Sequence, residues 1–95
     1  MPLKLISIDK SDRKGKKYVA VFIHGDKTLR IHFGAEGMED YTIHKDPERK
    51  RRYLARTAKQ DVSYPASPAT LSRFLLWNKP TLTESVEDFK KRFGV

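Results

Sequence analysis

Tyr18-Val19-Ala20-Val21-Phe22-Ile23 is the stretch that most narrows the folds open to this chain. It is β-branched and aromatic with no polar interruption, and it predicts the central strand of a sheet. Before it, Leu3, Leu5, Ile6 and Ile8 place apolar groups on both faces of a short extended segment. Ser11-Asp12-Arg13-Lys14-Gly15 then supplies the local hydrogen bonding and backbone freedom of a turn. After it, Gly25-Asp26-Lys27 turns the chain into Thr28-Leu29-Arg30-Ile31-His32-Phe33. Alternation there sends Leu29, Ile31 and Phe33 inward and Thr28, Arg30 and His32 outward. Three consecutive strands with short connections predict an antiparallel meander over residues 1–34.

The period changes beyond Phe33. Gly34, at the end of the meander, and Gly37 are expected to serve as structural turn residues, and a glycine-containing, acidic loop is expected over residues 35–45, with Glu36, Glu39 and Asp40 facing outward. Within that loop, Tyr41-Thr42-Ile43 is read as a brief extended segment. Asp46-Pro47-Glu48 has the order of a helix start: an aspartate to accept orphan amide protons, a proline at the first helical position and an acid at the positive dipole end. A helix over 46–59 is expected, with Tyr53, Leu54 and Ala58 as its narrow apolar stripe. Ser67-Pro68 opens a second helix through Leu71, Phe74, Leu75 and Trp77, and Pro80 stops it. Thr81-Leu82-Thr83-Glu84 is a capping box for a third, with Leu82, Val86, Phe89 and Phe93 on one face and Gly94 closing the end. The prediction is one α+β domain over 1–95, a three-stranded antiparallel meander followed by about three short helices.

With 95 residues, 38% hydrophobic and 34% charged, the core of such a domain must be thin. The absence of cysteine removes disulfides and thiolate metal sites together. No apolar run is long enough for a signal peptide or a membrane span, so neither secretion nor a membrane partner is expected.

The net charge of +8 is unevenly placed. Residues 41–59 hold seven basic groups against two acidic ones and carry +5 of it. That concentration favours a contact surface for a polyanion or an acidic protein. The candidate partner-binding residues are Lys45, Arg49, Lys50, Arg51, Arg52, Arg56 and Lys59, joined by Arg73, Trp77 and Lys79. Three uses of the basic helix stand side by side: a solvated face with a Glu48–Arg52 pair, an acidic protein surface as partner, and nucleic-acid phosphates. Trp77, beside two cations, either completes the core or offers a ring to a base or an interface.

His24, His32 and His44 lie at spacings of eight and twelve rather than the three or four of a zinc helix, so no metal and no cofactor are expected. Gly34 to Gly37 lacks the lysine and hydroxyl of a nucleotide loop. An acid–base or nuclease-like site on His32, Asp40, His44 and Asp46 would need the fold to bring them together, and it stands as the remote alternative to a non-enzymatic protein.

Several tokens occur here in a specific order: His32-Phe33-Gly34, Gly37, Asp40-Tyr41-Thr42-x-His44-x-Asp46, Arg52-Tyr53-x-Ala55-Arg56, and Leu71-Ser72-Arg73-Phe74-x-Leu76-Trp77-Asn78-Lys79. In this the chain resembles, from about Tyr18 to Phe93, a family of small uncharacterised proteins of large DNA viruses of algae and protists. It departs from the family's pattern at Thr57 and at Asp61 to Ser63. The resemblance implies a virion or virus-factory setting in host cytoplasm or nucleus, and it implies no known chemistry. The expectation is therefore a minor capsid or core protein that contacts other virion proteins, or alternatively nucleic acid, and takes no small-molecule substrate.

Overall fold

The computed structural model describes residues 3–95; Met1 and Pro2, at the start of the predicted meander, lie outside the described residues. Strands β1 (Leu3–Lys10), β2 (Lys16–His24) and β3 (Lys27–Ala35) form an antiparallel sheet in the order β1-β2-β3. The predicted central strand is central. Its register sets Phe22 opposite Leu5 on one side and Leu29 on the other, and Ala20 opposite Ile8 and Ile31. Leu5, Ala20, Phe22 and Phe33 thus share the face that meets the helices, each no more than 5% exposed.

The two-faced apolar pattern of β1 has a specific cause. Its pairing to β2 slips between Leu5 and Ser7, so Ile6 is an extra residue on the bulged edge strand. The bulge re-phases the alternation. Leu3, Leu5 and Ile8 all reach the core cluster, while Ile6 stays 53% exposed.

After the sheet come α1 (Tyr41–His44), α2 (Pro47–Arg56), α3 (Pro68–Leu71) with a π-helical continuation over Ser72–Leu76, and α4 (Leu82–Phe93). The fold is α+β. Each predicted cap is present: the side chains of Asp46, Ser67 and Thr81 accept from Glu48, Thr70 and Glu84 amides, and Gly94 closes α4 at φ +66°. Two local expectations are corrected. Tyr41-Thr42-Ile43 is helical rather than extended, because the buried Asp40 caps it by accepting from the Thr42 amide. The basic helix ends at Arg56 rather than residue 59, where Thr57 Oγ1 donates to the Tyr53 carbonyl at 2.8 Å and takes up an orphan acceptor of the last turn.

The core lies between the sheet and the C-terminal helices. Leu71, Leu75 and Leu76 from the α3–π segment and Phe89 from α4 are buried against Phe22 and Phe33. Phe74, Phe89 and Phe93 form an aromatic chain, with centroids 4.9 Å apart for Phe89–Phe93 and 5.4 Å for Phe74–Phe93. Helix α2 buries no residue completely, so it lies outside this core as a partly solvated element. No helix among the described residues is long and apolar enough to cross a membrane.

Candidate functional site

Two devices set the position of α2. Tyr53 stacks on Trp77, with centroids 4.4 Å apart and planes 6° from parallel, while Lys50 Nζ donates to the Asn78 carbonyl at 2.6 Å. Trp77 reaches that place because its amide donates to the Ser72 carbonyl, an i to i+5 bond that widens the last turn. His44 lies against Trp77 as well, 5.3 Å between centroids, and its Nδ1 accepts from the Asp46 amide at 2.9 Å. That bond puts the proton of the neutral ring on Nε2, a buried atom with no hydrogen-bond partner.

With α2 docked this way, Arg49, Arg52 and Arg56, at positions i, i+3 and i+7, share a face. Together with Met38, Glu39 and Trp77 they line a cleft of about 230 Å³. A second cleft of about 200 Å³ adjoins it and shares Met38, Glu39, Arg56 and Trp77. Lys17 and Asp40 also line it. Asp40 is buried rather than outward-facing: its Oδ2 lies 2.5 Å from Lys17 Nζ, and its Oδ1 accepts from both the amide and the hydroxyl of Thr42. Lys17 Nζ also donates to the Met38 carbonyl, so one buried pair holds the loop that forms the wall facing α2.

Gly34 and Gly37 both have positive φ, +78° and +82°. Gly37 sits in the turn closed by the Met38 amide on the Ala35 carbonyl. Gly34 is not a loop residue. It lies inside β3, and a Cβ there would come within 2.9 Å of Leu76 Cδ1 and 3.0 Å of Lys17 Cβ. Its smallness allows the sheet to meet the π turn that carries Trp77.

The remaining candidate residues are dispersed. Arg51 and Arg52 both reach Glu48, at 2.5 and 3.5 Å. The Arg51 hydrogen bond holds the Glu48 carboxyl below its ordinary range. Lys50 turns inward over the Tyr41 ring, 4.9 Å from its centroid, and so is a docking residue rather than part of the contact face. Lys45 takes the left-handed position after α1, and its Nζ donates to the Thr42 carbonyl. Lys59 lies past the end of α2 and is exposed. Arg73 sits near Tyr53, whose phenol is pushed up by burial against the opposing pull of Arg73 and Arg56. Lys79 belongs elsewhere, in a shallow depression with Glu84, Glu87, Asp88, Lys90 and Lys91, where three cations face three carboxylates.

Sequence reasoning missed Met38, Glu39 and Lys17, since nothing in their spacing links them to α2. Of the acidic loop, Glu39 alone reaches the basic helix among the described residues, 3.6 Å from Arg49, while Glu36 accepts from the Gly15 amide. The histidines and acids of the remote alternative are spent on structure. His32 Nδ1 is 2.7 Å from Ser11 Oγ, Asp46 caps α2, and no group of three or more such residues could hold a metal among the described residues.

Comparison with known proteins bears on this arrangement. Residues 6–57, from β1 through the end of the basic helix, match a family of unknown function, DUF5754. The chain belongs to DUF5754. An uncharacterised protein of Acanthamoeba polyphaga mimivirus is 32% identical over 80 residues, covering 76% of this chain and 80% of the relative. The match is to a giant-virus protein, in line with the resemblance seen in the sequence. No solved structure matches. The DUF5754 span takes in α2 and the 38–40 loop and stops short of Trp77, so one wall of the cleft comes from beyond it.

Proposed function

We propose that this DUF5754 protein is a non-enzymatic viral structural or interaction protein, a minor capsid or virion-core component that presents α2 to an acidic surface of another virion protein. One observation carries this reading: Arg49, Arg52 and Arg56 line one cleft on a helix that is fastened to the domain through Tyr53, next to them on the helix, and through Lys50. A helix fixed in that way presents its cations without having to order itself on binding. Arginine suits carboxylates because its planar fork can bond two oxygens at once. The chain already does so at Arg51, whose Nε and terminal nitrogen both donate to Glu48. In this reading the protein resides in the virion or in a virus factory of the host cytoplasm or nucleus.

A nucleic-acid partner is the second reading, favoured by the seven basic groups against two acidic ones in residues 41–59. It would use the same arginines on phosphates, since the Trp77 face turned to Tyr53 is closed to a base. Purification from infected cells with and without nuclease tests both. Retention of capsid proteins after nuclease supports the first reading, and loss of every partner supports the second. Absence of the protein from purified virions would overturn the first.

A further inference from the structure

We infer that the cleft between residues 38–40 and α2 binds an acidic peptide segment carrying an apolar side chain, and that Glu39 occupies the place of that segment's carboxylate until it arrives. The inference rests on α2 being a partner-contact face, and it adds which part of the face selects and what it selects. Three guanidinium groups and one carboxylate line the cleft, so its local charge asks for an acid. The other two lining side chains, Met38 and Trp77, are apolar, and Met38 is 64% exposed. A phosphate backbone has nothing to place on a thioether and an indole edge. An acidic peptide with a leucine or a phenylalanine does, and methionine adapts its shape to such a guest.

The Glu39–Arg49 pair has the geometry of a placeholder. At 3.6 Å, with side chains 55% and 44% exposed, it is looser than the 2.5 Å Arg51–Glu48 pair. Exposed pairs of this kind contribute little to stability and exchange readily with a competing carboxylate. The loop bearing Glu39 does not have to unfold for the exchange, because Lys17 grips the Met38 carbonyl and the Asp40 carboxylate on either side of it.

Trp77 is the single tryptophan of the chain, so its fluorescence reports on this cleft directly. The probes are a short peptide alternating glutamate with leucine, its counterpart with serine for leucine, and duplex DNA. We expect the leucine peptide to bind about tenfold tighter than the serine one, the difference due to one buried apolar side chain. Glu39→Gln should tighten the leucine peptide by up to about fivefold. Arg49→Ala and Arg56→Ala should each weaken it by about tenfold, and Lys91→Ala on α4 should leave it within about twofold. Melting curves check that every variant is folded. Equal affinity for both peptides, or equal losses from Lys91→Ala and Arg49→Ala, overturns the cleft while leaving a diffuse basic contact face standing. Duplex DNA binding with neither peptide bound also overturns it, in favour of a nucleic acid. If no probe binds, the contact face itself is refuted.

Discussion

Tyr53 lies flat on Trp77, 4.4 Å between centroids and 6° from parallel, and this one stacked pair fastens the most basic helix of the chain to the only tryptophan it has. Because α2 buries no residue completely, its attachment depends on a small number of such contacts. Trp77→Ala should therefore cost about 3 kcal/mol, the low end for an aromatic truncation since the ring is partly exposed. Tyr53→Ala should cost less, and the double variant should fall short of the sum by roughly 0.5 to 1.5 kcal/mol, the share of the stack itself. Chemical denaturation of the three variants measures this, and strict additivity would show that the rings do not support one another.

Gly34→Ala tests the approach of the sheet to the π turn. An alanine there is strained at φ +78°, and its Cβ meets Leu76 Cδ1 at 2.9 Å. The expected loss is about 2 to 4 kcal/mol, combining the backbone cost with overpacking. Gly37→Ala, where a Cβ meets nothing within 4 Å, should cost only the backbone part, about 1 kcal/mol. Similar denaturation midpoints for the two would contradict the close approach.

Asp40 binds Lys17 with side-chain exposures of 3% and 15%, and it also caps α1. Asp40→Ala leaves a buried ammonium without its counter-charge, so a loss of about 3 to 5 kcal/mol is expected. Lys17→Met together with Asp40→Leu should recover much of that, because an apolar pair removes the desolvation cost of both ions. A double variant no more stable than Asp40→Ala would refute the pairing.

Asp88 accepts from Asn78 at 2.7 Å and from Arg92 at 3.3 Å, and these bonds hold its carboxyl below the ordinary aspartate range, Asn78 contributing most. A lowered folded-state value means the stabilisation is present above the unfolded value, about 4, and is lost as pH falls through the folded one. Asn78→Ala should therefore be less stable than the parent at neutral pH, with the gap narrowing as pH drops below about 4. Thermal melting across that range reads the effect, and a gap independent of pH would assign the loss to packing alone.

Charge reversal at Arg51 and Arg52 should leave the fold intact, since both side chains are about two-thirds exposed and their pairs with Glu48 lie at the surface. A large fall in melting temperature would show that these groups hold the domain together.

What the sequence determined was local. A short unbroken run of β-branched and aromatic residues reads as a central strand, and a serine, threonine or aspartate before a helix pattern satisfies amide protons next to it in the chain. Hence the meander and the caps at Asp46, Ser67 and Thr81 were all legible. The bulge at Ile6 was visible only as an oddity, apolar residues on both faces of one strand, because its meaning depends on what β2 places opposite. Tertiary structure alone decided the cleft. Met38 and Glu39 stand next to α2 because Lys17, 23 residues before Asp40, reaches across to it. Arg49, Arg52 and Arg56 face them because Trp77, 24 residues after Tyr53, stacks on that ring and holds α2 at one rotation. Contacts between residues so far apart in the chain leave no periodicity in it, and burial of Lys17 and Asp40 cannot be told from exposure until the partner that neutralises each is in place.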